Sequence, residues 1–337
     1  MSVKSRNDNN EIESFETSLR PERWEDFIGQ EKIKENIKII ITAAKERGQT
    51  HCEHLLFYGP PGLGKTSMSY LVAKELGGNL KITSGPAIEK VGDLAAIITN
   101  LSDGDVLFID EVHRLNKAIE EYLYPVMEDF KLHLTVGKGA MARTMELKLP
   151  KFTMIAATTR LALISSPLRD RFGAIFQFDY YNIEDLKKIL LRTSKILDID
   201  IEEKAIELIC ERSRFTPRIA NRLLKRVRDF AQVHKESKIT PDIVLKTFKL
   251  LDVDEKGLEK GDRKILETIA NKFNGGPVGL QLLASATNEE EDTILDIYEP
   301  YLLKLGLIER TPKGRILTME GYKYLKIKPA NQNRIFI

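Results

Sequence analysis

The chain of 337 residues contains only two cysteines, Cys52 and Cys210, far apart in sequence and outside any Cys-x-x-Cys pair. That scarcity excludes a disulfide framework and a cysteine-ligated zinc cluster, and it predicts free thiols in a reducing cytoplasm. No apolar run approaches the roughly 18 residues that a membrane-spanning helix requires, so no membrane segment is expected. The opening stretch MSVKSRNDNNEIESFETS is polar and carries acids, which fits neither a secretory signal nor a transit peptide. There is no internal repeat and no low-complexity tract. Charge is nearly balanced at +2, so net charge by itself says nothing about a nucleic-acid partner. What remains, 42% hydrophobic and 30% charged residues, is an ordinary globular composition long enough for two or three domains.

Three short apolar runs mark buried strands: His54 to Tyr58, Val106 to Asp110 (VLFID) and Phe152 to Ala157 (FTMIAA). A helical pattern from Ser67 to Leu76 follows the first. Strands alternating with helices predict an α/β fold, a parallel sheet covered by helices on both faces. Between Lys131 and Pro150 the texture changes. Leu132, Leu134 and Val136 alternate with polar residues, as do Met145, Leu147 and Leu149, so 131–150 reads as a β-hairpin. Its tip, Gly139-Ala140-Met141-Ala142, would present Met141 as an apolar anchor for a partner. After Tyr181 the pattern is wholly helical. Thr216-Pro217 and Thr240-Pro241 each open a helix with an N-cap and proline at the first helical position. Beyond the polar stretch 252–261, three helices near Arg263–Phe273, Val278–Ala286 and Thr293–Leu305 precede two short strands around Pro312-Lys313-Gly314. Three small helices and a basic hairpin are the layout of a winged helix. The expected domains are 1–181, 182–254 and 255–337.

Gly59-Pro60-Pro61-Gly62-Leu63-Gly64-Lys65-Thr66 matches the phosphate-binding pattern GxxxxGK[ST], placed between a strand and a helix. Gly62 and Gly64 let backbone N–H groups close around phosphate, and the helix N-terminus adds its positive end. Lys65 would neutralise the β- and γ-phosphates, and the Thr66 hydroxyl would ligate Mg²⁺. Asp110, ending VLFID, would hold Mg²⁺ through its water shell. Glu111 is placed to polarise the attacking water, and Thr159, past FTMIAA, to position it. Arg171 is a candidate arginine finger, and Arg218 a sensor of the γ-phosphate. From Tyr301 onward eight basic residues face two acids. Within that tail Arg310, Lys313 and Arg315 surround Gly314, which predicts three cations clustered at a wing tip to meet DNA phosphates.

The segments LRPERWEDFIGQ (19–30), GPPGLGKT (59–66), LFIDEVHRL (107–115), ATTR (157–160), SPLRDRFG (166–173), TPRIANRLLKRVRDFA (216–231), GGPVGL (275–280) and EPYLLKLGLIERTPKGR (299–315) together resemble the RuvB family of Holliday-junction branch-migration motors. The resemblance runs from about Leu19 to about Thr318. It implies an AAA+ P-loop domain, a small helical domain and a winged-helix head, with ATP and Mg²⁺ as cofactors. It implies a cytoplasmic bacterial homohexamer on double-stranded DNA at Holliday junctions, with RuvA docked on the hairpin and RuvC in a larger complex. By the same likeness Leu19, Arg20 and Tyr181 contact adenine and ribose, while Gly62, Lys65, Thr66 and Ser67 hold phosphate and Mg²⁺. Glu128, Asp129 and Phe130 would lie near nucleotide at a subunit interface, where Arg171 reaches the neighbouring site. Arg310 and Arg315 would touch DNA. The chain departs from the family pattern at Phe215 and Ala156, where glycine is usual, and at the hairpin tip. An alternative is another DNA-acting AAA+ protein, the clamp-loader subunit, although that class usually carries Ser-Arg-Cys where this chain has Asp170-Arg171-Phe172. A module with a vestigial P-loop is opposed by intact Lys65, Thr66, Asp110, Glu111 and Arg171.

Overall fold

The computed structural model describes residues 18–136 and 143–329, so Met141 and the rest of the hairpin tip lie outside the described residues. The chain divides into two compact units, Met1–Tyr180 and Tyr181–Ile337.

In the first unit the strands are β1 (Leu55–Tyr58), β2 (Leu80–Ser84), β3 (Val106–Asp110), β4 (Lys131–Val136), β5 (Arg143–Lys148), β6 (Thr153–Thr158) and β7 (Ala174–Gln177). Five form one parallel sheet in the order β2-β3-β6-β1-β7. The register sets Tyr58 beside Thr158, and Ile109 beside Ala156, so the carboxyl tips of β1, β6 and β3 lie side by side. Open α/β sheets bind ligands at that edge. Helices cover both faces, so β6 is buried throughout and β3 up to its last residue. Strands covered on both faces read as continuous apolar runs, and this is why the sequence marks them. Edge strands β2 and β7 are short and half exposed, and no apolar run announces either.

His54 ties the entry of β1 to its surroundings. Its Nδ1 accepts from the Met154 N–H at 2.9 Å, so Nε2 carries the proton and donates to the Met127 carbonyl at 3.0 Å. Burial pushes its pKa down to about 4, because a charged imidazole there is poorly solvated. β4 and β5 form the expected antiparallel hairpin, pairing Leu132 with Leu147 and Leu134 with Met145. Leu132 is buried and Leu134, Leu147 and Leu149 pack against the core, whereas Met145 is 50% exposed.

In the second unit helices Ile183–Ile196, Glu203–Glu211, Pro217–Val233 and Pro241–Leu251 come first. Pro217 and Pro241 begin their helices as expected, but neither threonine caps through its side chain. Thr216 Oγ1 instead donates to the Ser213 carbonyl at 3.2 Å. Helices Lys260–Lys272 and Leu280–Thr287 follow, then helical residues 291–304, interrupted by a π turn at Ile294–Tyr298. β8 (Ile308–Thr311) and β9 (Gly314–Leu317) form the wing, Val278 pairs with Arg315 as a further bridge, and helix Met319–Leu325 closes the fold. Leu266, Ile269, Leu283, Leu302 and Leu307 lie in its core. Phe215, where the family pattern has glycine, sits at φ 56°, directly after Arg214 at φ 55°. The left-handed backbone there explains why glycine suits the position.

Candidate active site and wing

β1 runs straight into the glycine-rich turn. Gly59 has φ 141°, Gly62 78° and Gly64 98°, and a Cβ on Gly59 would collide with the Phe178 carbonyl oxygen. Helix Lys65–Leu76 starts without a side-chain cap, and its first internal bond runs from the Met68 N–H to the Gly64 carbonyl at 2.9 Å. The N–H groups of the opening turn therefore have no acceptor within the helix. Lys65 is buried, and its ammonium donates to the Gly59 and Pro60 carbonyls, both at 2.8 Å. A buried cation beside a glycine-rich turn and a helix N-terminus fits a polyphosphate.

Two strand tips away stands the acidic pair. Asp110 Oδ1 accepts from the Glu111 N–H at 2.9 Å. Glu111 takes the left-handed conformation at φ 48°, which turns the chain sharply off β3. Its carboxylate is exposed and pairs with Arg114, Nη1 to Oε2 3.2 Å. Between these tips, Thr158 Oγ1 bonds His113 Nδ1 at 3.0 Å and accepts from the Arg160 N–H at 2.9 Å. Half-buried Thr159 follows. Thr66 and Asp110 are hard oxygen donors of the kind Mg²⁺ takes when phosphates complete its shell. Among the described residues no group of three His, Cys, Asp or Glu side chains is placed to hold a metal ion.

Arg171 lies just past the short helix Ser166–Arg169. Its guanidinium stacks over Tyr124 at 4.2 Å, Nη1 donates to the Pro167 carbonyl at 2.6 Å, and Nε is 3.2 Å from Glu128 Oε1. Glu128 thus sits beside the candidate finger, while Asp129 is exposed at the end of the same helix. Phe130, at φ 53°, is edge-on to His51 and Phe152, with Lys151 3.9 Å above its ring. Leu19 is buried, and Arg20 stacks over Tyr70 at 4.4 Å on the phosphate-loop helix. In the second unit Tyr181 is buried and its N–H donates to the Phe215 carbonyl at 3.0 Å; Arg218 is exposed in the first turn of helix Pro217–Val233.

The wing requires a correction. Arg310 and Lys313 are exposed, but Arg315 is only 8% exposed and does not belong to the tip. Its Nε and Nη2 both donate to Glu299 Oε2, at 3.1 and 2.8 Å. Glu299 is itself 3% exposed, and its other oxygen lies 2.9 Å from Arg310 Nε. One buried carboxylate therefore holds two of the three cations expected at the tip. The sequence reading also missed His113, Arg114 and Tyr124. Only Arg114 left a signal, its three-residue spacing from Glu111.

A parallel sheet with a phosphate loop after β1, an acidic pair at the tip of β3 and an arginine beyond β6 defines a P-loop ATPase of the AAA+ class. Three family models match in succession: the Holliday junction DNA helicase RuvB P-loop domain over residues 19–178, the RuvB AAA lid domain over 181–254, and the RuvB C-terminal winged helix domain over 255–326. The chain belongs to the RuvB family. It is 55% identical over 317 residues to the Holliday junction branch migration complex subunit RuvB of Dehalococcoides mccartyi, covering 94% of this chain and 90% of that one. The solved structure of the Thermotoga maritima RuvB Holliday junction branch migration motor is 49% identical, with TM-score 0.84 over 92% of this chain and 99% of that one. A point mutant of the same T. maritima protein aligns with TM-score 0.85 at the same identity and coverage.

Proposed function

We propose that this chain is the ATP-hydrolysing motor subunit that drives branch migration of Holliday junctions during recombination and repair. The observation that carries the reading is the unbroken RuvB match, from the phosphate loop through the lid to the winged helix. A clamp-loader subunit is not favoured, since that match leaves no part of the ATPase core or head to another family.

In this reading 1–181 is the ATPase domain, 182–254 its helical lid and 255–337 the DNA-binding head. The phosphate loop and Lys65 hold the β- and γ-phosphates, with Gly62, Gly64, Thr66 and Ser67 lining them; Leu19, Arg20 and Tyr181 hold adenine and ribose. Thr66 and Asp110 hold Mg²⁺, which when bound neutralises charge developing on the phosphates. Glu111 accepts the proton of the attacking water, and Thr159 orients that water. Arg218 registers the γ-phosphate and passes its presence to the lid. Arg171 stabilises the transferring phosphoryl in a neighbouring subunit of a hexameric ring, next to Glu128, Asp129 and Phe130. Two features support that assignment: Arg171 is only 23% exposed, yet among the described residues its Nε has no hydrogen-bond partner and only an ion-pair contact with Glu128.

The head touches phosphate rather than bases, which suits a motor that must traverse any sequence. Arg310 and Lys313 make those contacts. The 131–150 hairpin docks RuvA, which brings the ring to double-stranded DNA at the junction, and RuvC joins in a larger complex in the bacterial cytoplasm. The test is migration of a synthetic four-way junction with and without ATP and RuvA. Migration that needs both is the expected result; a junction left unmoved with both present contradicts the proposal. Met141→Asp tests the docking surface, and is expected to abolish RuvA binding while leaving basal ATP hydrolysis intact.

A further inference from the structure

We propose that Tyr124, with Ser165 and Glu120 behind it, forms a seat that positions Arg171 before any phosphate reaches it. The proposal rests on the reading of Arg171 as the finger that acts in the adjacent site.

Glu120, Tyr124 and Glu128 recur every fourth residue along helix Lys117–Glu128, a spacing that lines side chains along one helical face. Facing this stripe is the segment that carries Ser165, Pro167 and Arg171. The outer end of the stripe holds the guanidinium: Glu128 is in ion-pair contact and the Tyr124 ring centroid lies 4.2 Å from its central carbon. The inner end holds the ring. The Tyr124 hydroxyl is 3.5 Å from Ser165 Oγ, and Ser165 in turn donates to the carboxylate of Glu120. Glu120 is 3% exposed, so its carboxyl group is held inside the fold. Ser165 also caps helix Ser166–Arg169 through the Leu168 N–H. The same hydroxyl therefore braces the ring and starts the helix that ends beside Arg171.

Arginine has a long side chain whose rotamer freedom opposes a single placement. Stabilising charge in a transition state is most effective when the charged group needs no reorganisation at that moment. The seat meets that need with a neutral platform. An aromatic face attracts a guanidinium without neutralising it, so the charge stays available to a phosphoryl oxygen. The hydrogen bond to Pro167 fixes Nη1, while Nη2 has no hydrogen-bond acceptor among the described residues and is left for the incoming group. A second carboxylate in place of Tyr124 would compete with phosphate; an aliphatic side chain would leave the arginine unguided. Displacing a catalytic group by about 1 Å can cost on the order of 10²-fold in rate.

The test compares Tyr124→Leu, Tyr124→Phe, Ser165→Ala and Arg171→Ala in steady-state ATP hydrolysis, with thermal melts to establish folding. Tyr124→Leu is expected to lower kcat about 10- to 100-fold while KM for ATP stays within about twofold, because nucleotide is held elsewhere. Tyr124→Phe keeps the ring and should retain most of the rate. Ser165→Ala should fall between them, and it carries the test if Tyr124→Leu does not fold. In rings shown to be mixed, Tyr124→Leu and Glu111→Gln subunits should recover activity, since one kind of interface then joins an intact Glu111 to a seated Arg171. A folded Tyr124→Leu with normal kcat, a matching rise in KM, or no recovery on mixing would overturn the seat. Normal hydrolysis by Arg171→Ala would instead overturn the finger reading itself.

Discussion

The segment that leads into β7 and the wing hairpin both carry arginines close to a turn, and they treat them differently. Ahead of β7, Arg171 rests on an aromatic face with the exposed carboxylate of Glu128 beside its Nε, and among the described residues its Nη2 has no acceptor. At the wing, Arg315 gives both its Nε and Nη2 to one buried carboxylate, Glu299. A charge held by a ring and one exposed carboxylate keeps a side open to a ligand, whereas a charge paired inside a core is already committed to the fold. A functional arginine is thus distinguished by what its neighbours leave it, more than by its place in a motif.

Removing the two arginines in turn should have opposite and large effects. Arg171→Ala should cost about 10³–10⁵ in hydrolysis rate with little change in melting temperature. Arg315→Ala should do the reverse, destabilising the second unit by about 3–5 kcal/mol because Glu299 is left buried without its main partner. A stable Arg315→Ala variant that binds DNA weakly would place Arg315 with the ligand contacts after all, and calorimetric melting beside DNA titration reads both.

A third prediction separates the units by pH. His54 has its pKa lowered to about 4 in the fold, against 6.5 as the ordinary value. The folded unit therefore favours the neutral ring. Its contribution is fully present above about pH 6.5 and is lost as the pH falls through about 4, a loss of about 3 kcal/mol in all. Melts of wild type and His54→Gln between pH 7 and 4 should converge as acid is added. Parallel curves would show that His54 is not what makes the sheet domain acid-sensitive.

The smallest expected effect sharpens the wing itself. Arg310→Ala and Lys313→Ala should each flatten the salt dependence of duplex binding by about one unit, equally for unrelated sequences, with stability changed by about 1 kcal/mol or less. Salt titrations at several ionic strengths check this. Slopes parallel to wild type would remove the wing tip from the DNA path and turn attention to Lys323, Lys326 and Lys328.

The parts of the site that were legible in sequence are those whose chemistry is local. The phosphate loop needs glycines and a lysine at fixed spacing, and Asp110-Glu111 needs only the end of a buried strand. Strands β3 and β6 announced themselves because burial on both faces demands unbroken apolar runs; β2 and β7, four or five residues long at the edges, had no such demand to meet. What was not legible depends on packing between distant segments. Glu299 meets Arg315 across the head, and Tyr124 meets Arg171 between a helix and a loop 47 residues further on. Neither spacing is a motif. Phe215 at φ 56° is a case of its own: comparison with the family pattern marked it as unusual, and the backbone conformation supplied the reason.

Glu111, the exposed carboxylate just past β3, is the residue proposed to turn binding into turnover. The decisive measurement follows Glu111→Gln and wild type side by side for ATP binding, ATP hydrolysis and migration of a four-way junction with RuvA. The variant should bind ATP as wild type does, hydrolyse it at least about 10²-fold more slowly, and leave the junction where it began. A variant that hydrolyses ATP or moves the junction at the wild-type rate would contradict that role.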